Sequence, residues 1–240
     1  MEGDGLGKLT QLRKLVLGGL LTPYLKKGFF ESITKLTALQ TLTLSIENNE
    51  KYSKKRLLNH LGLERQKNVI EEKTLFPGLE PFSCHAYLYE LCLVGKLEKL
   101  PEQFEFYPLN LLRLSLWECE LRDDPMMILE KLPSLRKLEL GSDAYVGKKM
   151  TCSSGGFLQL ERLSLVELKK LEELTVGEGA MSSLKTLQIL NCNEMKKLPH
   201  GLLQLTNLEK LSLLGSCHES IEEIEKAGGE DWNKLRKIMC

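Results

Sequence analysis

The sequence predicts an α/β solenoid, a horseshoe of short stacked turns with a parallel sheet on its concave face. Three observations carry this. Leucine fills 53 of the 240 positions, against 14 for isoleucine and valine together, whereas doubly wound enzymes line their buried parallel strands with all three. A Leu-x-x-Leu-x-Leu hexamer, with Ile or Cys accepted for a leucine, recurs nine times, starting at Leu12, Leu39, Leu88, Leu111, Leu135, Leu160, Leu184, Leu208 and Leu235. The starts lie 27, 49, 23, 24, 25, 24, 24 and 27 residues apart, one doubled interval among near-equal ones. Three residues ahead of the hexamer stands another apolar residue in eight of nine cases: Leu9, Leu36, Pro108, Leu132, Phe157, Met181, Leu205 and Trp232, with His85 the exception. Order within units and between them marks a repeat array.

The period and motif are those of leucine-rich repeats. The last two leucines of each hexamer are two residues apart, so a short strand puts them on one face. One unit cannot bury that face alone. Stacked units turn the strands into a parallel sheet and the leucines into ladders, each buried Leu contributing ~1.5–3 kcal/mol. Strands are expected near 14–17, 40–44, 89–93, 112–116, 136–140, 161–165, 185–189, 209–213 and 236–239. The return segments are expected to be irregular with some helix. Asp124-Pro125 starts one helix, running from Met126 to about Lys131, because Asp caps free N–H groups and Pro suits the first helical position. Glu219 to Ala227 is a second, ended by Gly228-Gly229. The whole of 1–240 then forms a single domain of about nine or ten repeats. Residues 48–87 fit worst: Leu58-x-x-Leu61-x-Leu63 matches the hexamer out of phase, so this stretch is a degenerate repeat or an excursion loop.

Composition excludes several classes. Lys+Arg and Asp+Glu both number 33, so neither a strongly basic nucleic-acid binder nor an acidic tail is expected. No run of 18 apolar residues is present to span a membrane. Met1-Glu2-Gly3-Asp4-Gly5 lacks the basic and apolar regions of a signal peptide. Seven cysteines without a Cys-x-x-Cys pair fit a reducing compartment, and so a cytoplasmic site. Asn-x-Ser/Thr is also missing.

Chemistry-bearing patterns are weak. Gly3 to Lys8 superficially resembles a phosphate-binding loop, but Glu2 stands where the first Gly belongs, Leu9 follows Lys8, and no strand precedes it. It reads as the lead-in to the first repeat. His60, His85, His200 and His218 have no Cys or His partner at metal-ligand spacing and are expected on surfaces or loops. Cys119 and Cys192 both stand eight residues after a hexamer start, as do Asp143, Leu168 and Ser216. These two thiols are expected to point inward and to be inert. With no acid, base or nucleophile set at convincing spacing, no enzyme, cofactor or metal is expected.

The better lead is the strand face that the leucines leave free. Two residues after each hexamer start lie Lys14, Thr41, Glu90, Arg113, Lys137, Arg162, Thr186, Lys210 and Lys237, six of them basic. Four after lie Val16, Thr43, Cys92, Ser115, Glu139, Ser164, Gln188, Ser212 and Met239. Six after lie Gly18, Ser45, Val94, Trp117, Gly141, Val166, Leu190 and Leu214. Stacking makes each set a column: one basic, one small and polar, one apolar and centred on Trp117. An aromatic anchor with apolar neighbours and flanking charge suits a protein partner. The expected protein-binding residues are Arg113, Trp117, Lys137, Arg162, Val166, Leu190, Lys210 and Leu214.

Several phrases carry a closer resemblance. They include Leu184-x-x-Leu187-x-Ile189-x-x-Cys192-x-x-Met195-x-x-Leu198-Pro199, Gly95-Lys96-Leu97-Glu98-Lys99-Leu100-Pro101, Leu121-Arg122-Asp123-Asp124-Pro125-Met126, Leu171-Glu172-Glu173-Leu174 and Gly228-Gly229-Glu230-Asp231-Trp232. Together they resemble the C-terminal leucine-rich-repeat region of plant coiled-coil nucleotide-binding disease resistance proteins, of the kind recognising downy mildew. The resemblance is densest from 88 to 240. It implies a cytoplasmic protein-interaction module in plant defence that recognises a pathogen effector or a guarded host protein. In a full receptor it implies a part in autoinhibition, against the receptor's own nucleotide-binding domain. The coiled coil and nucleotide-binding domain have no room in 240 residues, so a fragment, a truncated product or a repeat-only relative is expected. The alternative is a stand-alone leucine-rich-repeat scaffold assembling signalling proteins.

Overall fold

The computed structural model describes residues 5–18, 28–46, 76 and 78–239. Its strands are β1 (Lys14–Leu17), β2 (Thr41–Ser45), β3 (Glu90–Val94), β4 (Arg113–Trp117), β5 (Lys137–Gly141), β6 (Lys149–Cys152), β7 (Arg162–Val166), β8 (Glu173–Val176), β9 (Thr186–Leu190) and β10 (Lys210–Ser212). Eight of them form one sheet in the order β1-β2-β3-β4-β5-β7-β9-β10, and every pair in it is parallel. Each begins within one residue of its expected position. The chain is thus a solenoid with a parallel sheet, one rung per repeat.

The register follows the hexamers. Leu15, Leu42, Leu91, Leu114, Leu138, Leu163, Leu187 and Leu211 stand opposite one another in a single row. A second row runs from Leu17 through Leu44, Leu93, Leu116, Leu140 and Leu165 to Ile189. Both rows are buried except at the first rung, where Leu17 is half-buried. Stability therefore comes from interfaces between successive turns.

Six strands, β3, β4, β5, β7, β9 and β10, leave the sheet through a left-handed residue seven places after the hexamer start, whereas β2 leaves through Ile46 without a positive φ. Gly95, Glu118, Ser142, Glu167, Asn191 and Gly215 all have positive φ there. Their turn is tied sideways: the Glu118, Ser142, Glu167 and Asn191 N–H groups donate to Gly141, Val166, Leu190 and Leu214 carbonyls on the next turn. A non-glycine residue in this region costs about 1–2 kcal/mol, offset here by the ladder bond.

A second, two-stranded parallel sheet pairs β6 with β8, with single bridges Leu121↔Tyr145 and Thr175↔His200 nearby in sequence. This sheet was not expected. Among the return segments, α1 (Gly28–Thr34) precedes β2 and α2 (Met126–Leu129) follows β4. The Asp124 carboxylate accepts the Met126 N–H at 2.9 Å and the Thr151 N–H at 2.7 Å. It therefore caps α2 and anchors β6 together. Burial pushes that carboxyl upward, against the lowering effect of the two N–H donors.

The C-terminal end corrects one expectation. The hexamer at Leu235 is not a strand. Its Leu235 and Ile238 lie on α4 (Gly229–Ile238), which follows α3 (His218–Ala227) across Gly228. Leu235 is buried, and Met239 alone bridges to Leu211. The ammonium of Lys234 donates to the Leu203 carbonyl. The two helices thus pack beside the last rung, and Lys237 stands outside the column assigned to it.

The out-of-phase hexamer at Leu58 lies outside the described residues. The described part of that stretch, residues 76 and 78–87, packs into the hydrophobic core. It makes a 3-10 turn at Glu80–Phe82, buries Phe76, Leu79 and Phe82, and pairs Phe76 with Leu97. Residues Leu6–Lys8 form another such turn ahead of β1, as a lead-in should.

Candidate functional site

The face of the large sheet opposite the leucine ladders carries the three columns. In the first, Lys14, Thr41, Glu90, Arg113, Lys137, Arg162, Thr186 and Lys210 are consecutive register partners. Arg113, Arg162 and Lys210 are exposed, and Lys137 is half-buried. Rungs about 4.8 Å apart set the spacing of their backbones. Arg113 reaches Glu90 at 3.7 Å.

The second column is a chain of polar contacts. Ser115 donates to the Glu139 carboxylate at 3.3 Å, and Ser164 donates to the Gln188 amide oxygen at 3.5 Å. Cys92 sits in this row, its thiol pushed up to about 11 by burial first and by the charges of Glu139 and Glu90 second.

The third column is less uniform than expected. Ser45 and Val94 are buried, whereas Trp117, Val166 and Leu190 are half-buried. Trp117, Gly141, Val166 and Leu190 are register partners in sequence. The Trp117 indole lies across Gly141, filling the space a side chain there would need. Leu214 lies beyond β10 and is 68% exposed. It is in a turn rather than on the sheet. The sheet thus brings together Arg113, Trp117, Lys137, Arg162, Val166, Leu190 and Lys210, and leaves Leu214 at its margin.

The inward thiols are where expected. Cys119 and Cys192 are fully buried. Burial raises both, Cys192 to about 11, against the lowering effect of a backbone hydrogen bond on each. Leu168 and Ser216 point in at the same position, Ser216 donating to the Ile189 carbonyl at 3.0 Å. Asp143 departs. It is left-handed and pairs with Lys169 at 2.6 Å, and Ala144 fills the interior instead.

One histidine also departs. His85 is buried, with Nε2 3.0 Å from the Ile33 carbonyl and Nδ1 3.2 Å from the Phe82 carbonyl. It occupies the apolar slot ahead of β3 rather than a surface. His200 and His218 are exposed, and His60 lies outside the described residues. Among the described residues no three His, Cys, Asp or Glu side chains are grouped to hold a metal. No helix among them is long and apolar enough to cross a membrane.

Stacked rungs with an open, chemically graded face define the class of leucine-rich-repeat scaffolds. The chain belongs to that family: its leucine-rich repeat region model matches residues 2–232. Among its relatives, the disease resistance proteins RPH8A and RPP8 of Arabidopsis thaliana are 35% and 33% identical, each over 96% of this chain. The disease susceptibility protein LOV1 of the same plant is 36% identical over 85% of the chain. The chain spans about a quarter of the length of these relatives, 26%, 26% and 22% respectively. A solved leucine-rich-repeat protein of Leptospira interrogans aligns with 99% of the chain and 62% of its own length, at 19% identity and a TM-score of 0.42.

Proposed function

We propose that the chain is a protein-interaction module of the plant immune-receptor type. Its concave face recognises a pathogen effector or a guarded host protein, and no catalytic step is involved. The observation that carries this is the clustering of half-buried Trp117, Val166 and Leu190 at the strand ends, with Arg113, Lys137 and Arg162 at the strand starts. Apolar anchors beside steering charges suit equilibrium binding of a protein. Similarity to disease resistance proteins supports the defence setting. In a longer receptor the same face would hold the nucleotide-binding domain inactive, and a ligand would shift that balance through its differential affinity. Six free cysteines among the described residues, four of them buried, support work in a reducing cytoplasm.

The test is a pull-down from plant extract with the chain and its Val166→Asp form, read by mass spectrometry. A partner captured by the first and lost by the second, at equal thermal stability, supports the reading. Equal capture by both removes it.

A further inference from the structure

Six ion pairs join neighbouring turns of the solenoid: Lys96–Glu120, Arg113–Glu90, Arg136–Glu161, Lys148–Glu172, Lys149–Glu173 and Lys169–Asp143. In each, a cation on one turn meets a carboxylate on an adjacent turn, the next one in four pairs and the preceding one in Arg113–Glu90 and Lys169–Asp143. The rung formed by Lys137 and Arg162 breaks this pattern. The two are register partners on β5 and β7, and like charges placed directly opposite repel. Among the described residues neither reaches a carboxylate within ion-pair distance. Glu90 is engaged by Arg113. Glu139, two residues from Lys137 on the same strand face, accepts a hydrogen bond from Ser115.

Packing does not require these cations. Thr41 and Thr186 occupy the same column two and one rungs away from the basic run, so a short neutral side chain fits the ladder. A local rule broken without a structural return points to use. The strand geometry says what would use it. Val166 lies four residues beyond Arg162 on β7, and Leu190 is its partner on β9. That sets the apolar pair about 13 Å along the strand from the backbone positions of the two cationic residues, the length of about four extended residues.

We propose, building on the concave-face reading above, that Lys137 and Arg162 receive acidic side chains of an extended protein segment. An apolar residue about four positions away in that segment seats against Val166 and Leu190. A nucleic acid fits less well. Glu90 and Glu139 flank the cations and would repel a continuous phosphate backbone, and the Trp117 ring lies over Gly141 rather than open to a base.

The test is display selection of short random peptides on the intact chain, followed by binding measurements on the enriched sequences. Three double variants are compared: Lys137→Thr/Arg162→Thr, Val166→Ser/Leu190→Ser, and Lys148→Thr/Lys149→Thr. The last removes the same charge from the smaller sheet. The expected result is enrichment of peptides with adjacent acids and an apolar residue about four positions away. Their affinity should fall at least about tenfold in the first variant, fall in the second and hold in the third. Peptides without acidic bias, lost only in the Val166/Leu190 variant, overturn the charge site and leave the concave-face reading standing. Peptides indifferent to the first two variants, or no enrichment, overturn both. Polyuridine RNA that outcompetes the peptides through Lys137 and Arg162 overturns the choice of ligand.

Discussion

The indole of Trp117 lies flat against the backbone of Gly141, its register partner on β5. A Cβ at Gly141 would stand 2.4 Å from both Cε3 and Cζ3 of the ring. The glycine is therefore what lets the aromatic lie half-buried on the face. Gly141→Ala is expected to lift the ring into solvent and to lower stability by about 1–3 kcal/mol. Trp117 fluorescence, isolated in a Trp232→Phe background, should shift to longer wavelength. An unchanged spectrum would mean that the ring does not rest on this glycine.

The ladder itself is tested at Leu187, which is buried between Leu163 and Leu211. Leu187→Asp places a carboxylate where no polar partner stands, at a cost of several kcal/mol. The melting temperature should drop sharply and the transition should broaden, because turns on either side lose their common interface. A melting curve like that of the parent chain would contradict the inward assignment.

Much of this was legible in the sequence because the hexamer states its own geometry. Leucines two apart can share a buried face only in a strand, and constant spacing fixes the register. The Leu235 hexamer shows where that logic fails. Trp232, Leu235 and Ile238 are spaced by three, so they line a helix face as well as they match the repeat. The deciding marks lay beside them: Glu230 and Asp231 in the first turn and Arg236 and Lys237 in the last complement a helix dipole. The β6–β8 sheet was hidden for another reason. Its strands have four residues each, with alternating burial, too short to stand out between repeats. The left-handed exit was readable at Gly95 and Gly215 but masked at Glu118 and Glu167, where ladder bonds hold side chains that propensity disfavours. On the candidate face the columns followed from the strands. The covering of Val94 and the turn at Leu214 did not, because they depend on how each return segment folds over its neighbour.

His85 tests how a polar residue replaces an apolar one ahead of a strand. The Ile33 and Phe82 carbonyls that face its ring already accept backbone N–H groups from Leu36 and His85. Losing the imidazole therefore leaves little unsatisfied. His85→Leu restores the residue type found at Leu36 and Leu132 and should change stability by no more than about 1 kcal/mol. His85→Ala opens a void and should cost about 2–4 kcal/mol. Denaturant midpoints of the two variants give the comparison. Equal losses would show that the ring's hydrogen bonds, not its volume, hold the site.

Alkaline stability should depend on Cys192. Burial holds its thiol at about 11 in the fold, against 9.0 for the free group. Below pH 9 both folded and unfolded chains keep the proton, so pH has no effect through this group. Between about 9 and 11 only the unfolded chain ionises, and stability falls as pH rises, by up to about 3 kcal/mol at roughly 1.4 kcal/mol per unit. Above that range both states are ionised and the effect levels off. Cys217 acts in the same direction, so the measurement is a comparison. Urea unfolding under reducing conditions should show a shallower decline from pH 9 to 11 for Cys192→Ala than for the parent chain. Parallel declines would mean that the thiol reaches water in the folded protein.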